Sequence, residues 1–300
     1  MTRPTHLPLR CVSIDVEEYF HVEAARHAVG RDQWDAWPSR VEGNVDRLLA
    51  LFERCGQRGT FFILGHVAQR RPGLVRRIAD AGHEVASHGT HHDRLHRLTP
   101  DTFREDLLTS KRLLEDLTGQ PVLGYRAPTF SVTRQTAWAI DVLAESGFTY
   151  DASIFPVRHP WYGVIDAPLE PFWCKTQSGQ KILEVPPLVW RAAGRNLAVA
   201  GGGYFRLLPL GLMKRGLRQA AKEQRPAILY FHPWEFDPDM PRMPLSFTGR
   251  LRTYTGLRTA ERKLEGIMRQ PARWTPIRDA LDELRRMADQ RAAFELGGHG

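Results

Sequence analysis

The sequence predicts an α/β fold in which a parallel sheet is covered by helices and closes towards a (β/α) barrel. Two patterns carry this. Short apolar runs alternate with amphipathic helical stretches along most of the chain, which is the signature of βαβ units. The apolar runs have no polar face, so they suit strands buried on both sides. A third observation agrees: the residues able to do chemistry fall at the ends of these runs, where such folds build their sites.

The elements follow in order. Leu9–Asp15 reads as a buried strand, and Val41–Gly56 as a helix with Val41, Val45, Leu48, Leu49 and Phe52 at helical spacing and Gly56 as its stop. "GTFFILG" is a strand. "PGLVRRIADAG" is a helix with Pro72 near its start and Gly82 at its end. "HEVASH" is a short strand running into a histidine-rich loop. A long helix follows, capped by Thr99 or Asp101 and stopped by Gly119. "VLGYRAP" is a strand, "TRQTAWAIDVLAESG" a helix, and "FTYDAS" and "KILEVPP" strands. "PLGLMKRGLRQAAKEQ" is a helix and "AILYFHP" a buried strand. Beyond His232 the chain turns proline-rich, then offers helices near Leu257–Arg269 and Pro276–Arg291 and a tail, "ELGGHG", expected to fray. We therefore expect a barrel over residues 1–235 and an extension packed on it over 236–300.

Lys and Arg total 42 against 34 acids, a net charge of +8. The basic residues are interleaved with acids, and no nucleic-acid motif or basic arm is present, so nucleic acid is not an expected partner. Cys11, Cys55 and Cys174 are odd in number and far apart. They form no disulfide framework and suit a reducing compartment. The first twenty residues lack an apolar signal region, and no run is long enough to span a bilayer. The expected location is cytoplasmic, with surface association at a membrane left open.

In "SIDVEEYF", Asp15, Glu17 and Glu18 stand at the mouth of the first strand, and Asp15 and Glu17 alternate in strand register, which favours Glu17 over Glu18 as the ligand. In "SHGTHH", His88 and His92 are four residues apart, a spacing that on a helical turn brings two ring nitrogens onto one zinc ion. One carboxylate added to them leaves an open position for a water of lowered pKa. His91 and His96 fall out of that register and read as loop residues supporting the site. In "YRAPTF", Arg126 can hold an Asp ionised, and the Thr129 N–H can face an oxyanion. His232 ends an apolar strand and, with a carboxylate such as Asp151, can protonate a leaving amine. "GGGYFR" suggests close backbone approach to a ligand, with Gly202 and Tyr204 as lining residues. Trp161, Tyr162, Trp190 and Trp234 are candidates to stack on sugar rings.

Together these pieces resemble the NodB-homology polysaccharide deacetylases, carbohydrate esterase family four, over Leu9 to His232. The resemblance implies a distorted (β/α) barrel and removal of N-acetyl groups with one divalent metal ion, Zn²⁺ by preference. Asp15 matches the family's base, and Glu17 takes the place of its metal-binding aspartate. His88 and His92 match the metal histidines. "RAPTF" matches R-x-P-Y with Thr129 in place of tyrosine. Asp151 lies where the family places an acid that tunes the catalytic histidine, and His232 matches that histidine. "SIDVEEYFHVEA", "GGGYFRLLP" and "FHPWEFDP" look like the exosortase-associated subgroup. That likeness implies exopolysaccharide biosynthesis, with an N-acetylated glycan or its lipid-linked precursor met at the inner membrane face. Two other readings stand beside it. One is an amidase acting on a small linear or cyclic amide with the same fold. The other is a non-catalytic glycan-binding protein of a polysaccharide assembly complex.

Overall fold

The computed structural model describes residues 7–26, 28–175 and 178–297. The first strand, β1 (Leu9–Val16), is buried along its whole length. Three short 3₁₀ turns lead to α1 (Val41–Cys55), which ends where Gly56 takes the left-handed conformation at φ 63°. Next come β2 (Thr60–Ile63), the short α2 (Gly65–Arg70) and α3 (Pro72–Asp80), with Pro72 at the helix start. β3 (Glu84–Ser87) runs into the histidine loop. α4 (Pro100–Thr118) is capped by the Thr99 hydroxyl, which accepts from the Thr102 N–H, and closed by Gly119 at φ 65°.

β4 (Gly124–Tyr125), α5 (Trp138–Glu145) and β5 (Tyr150–Asp151) complete the first half of the chain. β6 (Phe172–Lys175) and β7 (Lys181–Glu184) pair antiparallel. A hairpin of β8 (Val189–Ala192) and β9 (Arg195–Ala198) stands apart from the main sheet. Then follow α6 (Gly202–Leu207), α7 (Leu210–Lys222) and β10 (Ala227–Phe231). The chain ends in α8 (Phe247–Tyr254), α9 (Leu257–Met268), β11 (Arg273–Trp274), α10 (Leu281–Ala288) and β12 (Phe294–Glu295). Glu295 of the expected frayed tail is thus paired, and its last three residues lie outside the described residues. No helix is long and apolar enough to cross a membrane.

The sheet runs in the order β10-β1-β2-β3-β4-β5-β7-β6-β12, with β11 beside β1. Every ladder from β10 to β7 is parallel. Among the described residues no ladder joins β10 to β12. Parallel pairing has one consequence that builds the site: the C-terminal ends of β1, β3, β4, β5 and β10 all open on the same edge of the sheet. Residues beyond 235 are woven into this sheet as well as packed on it. The N–H groups of Arg273 and Thr275 donate to the Pro8 and Arg10 carbonyls, and β12 pairs with β6. The buried Glu84 carboxylate accepts from Thr60, from the Tyr150 hydroxyl and from the Arg278 N–H, tying the last turns to β2, β3 and β5.

Candidate active site

A cavity of about 460 Å³ opens at this edge, lined by Asp15, Glu17, His88, His92, Thr129 and His232 among others. The metal candidates come from two strand ends. Glu17 lies just past β1, in register with Asp15 on the same face. Glu18 points away: its carboxylate accepts from the N–H groups of Arg40 and Val41 at the start of α1. One ligand atom each from Glu17, His88 and His92 lies within 4.8 Å of the others, and all three residues are buried.

The histidines do not sit on a helical turn, as their spacing suggested. Residues 88–92 form a loop that folds back through left-handed Gly89 (φ 74°) and left-handed His92 (φ 56°). A Cβ on Gly89 would meet the Asp106 carboxylate at 2.7 Å, so a larger residue is excluded there twice over. The Asp106 carboxylate accepts from the Thr90 N–H and its backbone carbonyl from the Thr90 hydroxyl, which fixes the loop on α4.

These residues fit a divalent ion. Burial pushes the His88 imidazole down to about 4, leaving it neutral as a ligand must be. Its Nδ1–H donates to the Arg126 carbonyl at 2.7 Å, which leaves Nε2 free to bind. Glu17 Oε2 is buried, accepts no hydrogen bond and faces His92 Nε2 at 2.7 Å. Burial alone would raise the Glu17 carboxyl, but the surrounding histidines hold it well below the usual range. It is ionised and turned towards two imidazoles.

Asp15 Oδ1 accepts from Arg126 at 2.7 Å. Arg126 is wholly buried and held by the Ser13 hydroxyl, by the Ala152 carbonyl and by the face of Phe62, 4.1 Å away. Asp15 Oδ2 faces His232 Nε2 at 3.9 Å. Thr129 lies at the cavity wall with φ 58°, a strained conformation for a β-branched residue.

Two placements correct the sequence reading. The carboxylate on His232 is Glu235, not Asp151: His232 Nδ1 and Glu235 Oε1 are 2.8 Å apart. Asp151 instead accepts from the Ser153 hydroxyl and pairs in register with Glu184, on a strand five places along the sheet from β10 and His232. Trp234 touches the cavity but is only 6% exposed. Its indole N–H donates to Glu17 Oε1 at 3.1 Å and its ring stacks on His232, so it positions those residues and leaves no free face for a sugar. Gly202, Tyr204, Trp161 and Tyr162 do line the cavity, whereas Trp190 lies on β8 under Arg215.

The sequence reading missed Arg206 and Glu235. The buried Arg206 guanidinium donates to Glu235 Oε2 at 2.6 Å and to the carbonyls of Arg252, Thr253 and Thr255. Burial pulls the His232 imidazole down, but Glu235, Glu17 and Asp15 outweigh it and push it up to about 9. Burial likewise raises Glu235, while Arg206 and His232 hold it below its ordinary value. The signal was an acid three residues after His232 and an arginine inside "GGGYFR".

Residues 33–150 match the family model for polysaccharide deacetylase, and residues 152–282 match a domain of unknown function, DUF3473. Asp15 and Glu17 precede the first match, and His232 lies in the second. The chain is 35% identical over 113 residues to a peptidoglycan deacetylase of Helicobacter pylori, covering 38% of each chain. It is 32% identical over 87 residues to a chitooligosaccharide deacetylase of Bradyrhizobium sp., covering 29% of this chain and 37% of the relative. The chain thus spans less than two fifths of the length of these curated relatives.

Its fold is similar to that of a Mycobacterium smegmatis protein described as a polysaccharide deacetylase. The TM-score is 0.65 at 21% identity, covering 98% of this chain and 95% of the other. It is also similar to PuuE allantoinase, with a TM-score of 0.61 at 18% identity and 97% and 96% coverage. Residues 33–150 are thus similar in sequence to polysaccharide deacetylases, and the fold of nearly the whole chain is similar to that of a solved protein described as one.

Proposed function

We propose that this chain removes acetyl groups from N-acetylated amino sugars of an exopolysaccharide or its lipid-linked precursor, using a divalent ion, Zn²⁺ by preference. One observation carries the reading. A buried Glu17–His88–His92 cluster shares a single cavity with an arginine-held carboxylate on one side and a carboxylate-held imidazole on the other. Glu17, His88 and His92 would hold the ion, which when bound would supply positive charge to polarise an amide carbonyl and lower the pKa of a water.

The chain's own residues do the rest. Asp15, oriented by Arg126, takes a proton from the attacking water at Oδ2. The Thr129 N–H donates to the oxyanion as the amide carbon becomes tetrahedral. Protonated His232, held by Glu235, gives its proton to the departing amine, so the products are acetate and a free amino sugar. The carboxylates of Glu235, Glu17 and Asp15 all favour the protonated form of that imidazole. The curated relatives named as deacetylases of peptidoglycan and chitooligosaccharide support an N-acetylated glycan as substrate.

The test is acetate release from N-acetylated oligosaccharides, set beside hydrolysis of cyclic ureides, with elemental analysis of the same samples. The reading expects about one metal per chain, acetate release that a chelator abolishes and Zn²⁺ restores, and an Asp15→Asn variant that keeps metal without turnover. Ureide turnover without acetate release supports the small-amide reading. Glycan binding without acetate release supports the non-catalytic one.

A further inference from the structure

Seven large apolar side chains are exposed among the described residues, and four of them lie on α8 or at the cavity mouth. Phe247 is 75% exposed and Leu251 52%, and their spacing of four puts them on one face of α8. The opposite face, Gly249 and Thr253, is buried. Leu207 and Trp161 are exposed as well, and both line the cavity. The patch is continuous with α8. Arg206 in α6 donates to three carbonyls over 252–255, and the Arg252 guanidinium lies 5.7 Å from the centre of the Trp161 ring.

The charge around this patch is one-sided. Between Asp239 and Glu261 the chain has four arginines, Arg242, Arg250, Arg252 and Arg258, and no acid. All four are exposed, and none forms an ion pair among the described residues. Several surface arginines elsewhere have acidic neighbours, as Arg70 has Asp35, Arg77 has Glu42 and Asp46, and Arg97 has Glu23. Exposed Phe and Leu ringed by unpaired cations match the boundary between acyl chains and anionic headgroups.

We propose that α8 and the cavity mouth dock on the surface of an anionic lipid bilayer. Phe247 and Leu251 enter the boundary below the headgroups, while Arg250 and Arg252 meet lipid phosphates. Arg252 and Leu207 also line the cavity, so docking sets its mouth against the lipid surface, where a glycan carried on a lipid phosphate is within reach. This goes beyond the deacetylase reading and does not depend on chemistry at Asp15.

The test is co-sedimentation of the full chain with phosphatidylcholine vesicles, with and without phosphatidylglycerol, at low and high salt. Binding to the anionic vesicles is expected to be at least about tenfold tighter and to weaken with salt. The double variant Phe247→Ser, Leu251→Ser is expected to weaken it at least about tenfold, and Arg250→Ala about fivefold. Arg286→Ala, which removes the same charge from α10, is expected to leave it unchanged. Thermal unfolding of the exposed-site variants should match that of the parent. No preference for anionic vesicles, or an equal loss from Arg286→Ala, overturns the proposal. So does a dimer that the double variant dissolves while anionic vesicles stay unbound, which assigns the patch to a second copy of the chain. Vesicle binding without acetate release from any glycan keeps this inference and overturns the deacetylase reading.

Discussion

His232 owes its orientation to Glu235, and Glu235 owes its own to Arg206. Replacing Glu235 by Gln removes the charge that favours the imidazolium and leaves the shape. We expect kcat for acetate release to fall about 10²-fold with KM little changed, because the lost interaction serves proton transfer. Steady-state kinetics on an N-acetylated oligosaccharide would show the split, and a rise in KM alone would contradict it. Trp234 stacks on the same imidazole and reaches Glu17. Its N–H fixes Glu17 Oε1 and leaves Oε2 facing His92 Nε2. Trp234→Phe keeps the ring stacked on His232 and loses the donor. Metal affinity should drop about 10- to 100-fold, read by titrating Zn²⁺ into the metal-free chain.

At the scale of elements, the glycine triplet shows why composition alone under-reads a loop. Gly201 bridges Tyr230 in β10, and a Cβ there would sit 1.6 Å from the Tyr230 carbonyl oxygen. The close approach suspected from the three glycines is therefore to a strand backbone, and its effect is to carry Gly202 and Tyr204 into the cavity wall. Gly201→Ala must push α6 off β10, at a cost of about 1–3 kcal/mol in urea unfolding. A change under half a kcal/mol would show that α6 moves freely. The histidine loop teaches the same lesson. A spacing of four suits a helix, yet two left-handed residues achieve the same convergence without one.

For the whole molecule, the buried pair of Asp151 and Glu184 links stability to pH. Burial drives both carboxyls up. Asp151 rises to about 6, and Glu184, raised further by its neighbour's charge, moves well above the carboxylate range. The folded chain therefore holds a proton that the unfolded chain releases near pH 4. Stability from this pair is present below that range and is lost as pH rises through about 6. Urea unfolding at pH 5 and pH 8 should show the wild type losing stability between them. Glu184→Gln, which keeps a neutral partner for Asp151, should flatten the difference. An unchanged slope in that variant would place the pH dependence elsewhere.

Much was legible because it depends on local pattern. Apolar runs alternating with amphipathic stretches give β1, α1, β2, α3, β3, α4, α7 and β10 close to their observed bounds. Their parallel order puts the strand ends on one edge, which is why Asp15, Glu17, His88, His92, Arg126 and His232 could be singled out as candidates. Short or half-exposed elements were not legible: β6, the β8–β9 hairpin, α6 and α8 carry too few periods to rise above loop composition. Nor was the partner of His232, since a carboxylate in sequence carries no address and Glu235 and Asp151 look alike until the chain is folded. The sequence by itself determined which side chains could do chemistry and on which edge of the sheet they stand. Only the tertiary structure decided which acid meets which base, because contact across strands depends on register and on buried arginines such as Arg126 and Arg206, whose hydrogen bonds come from segments far apart in the chain.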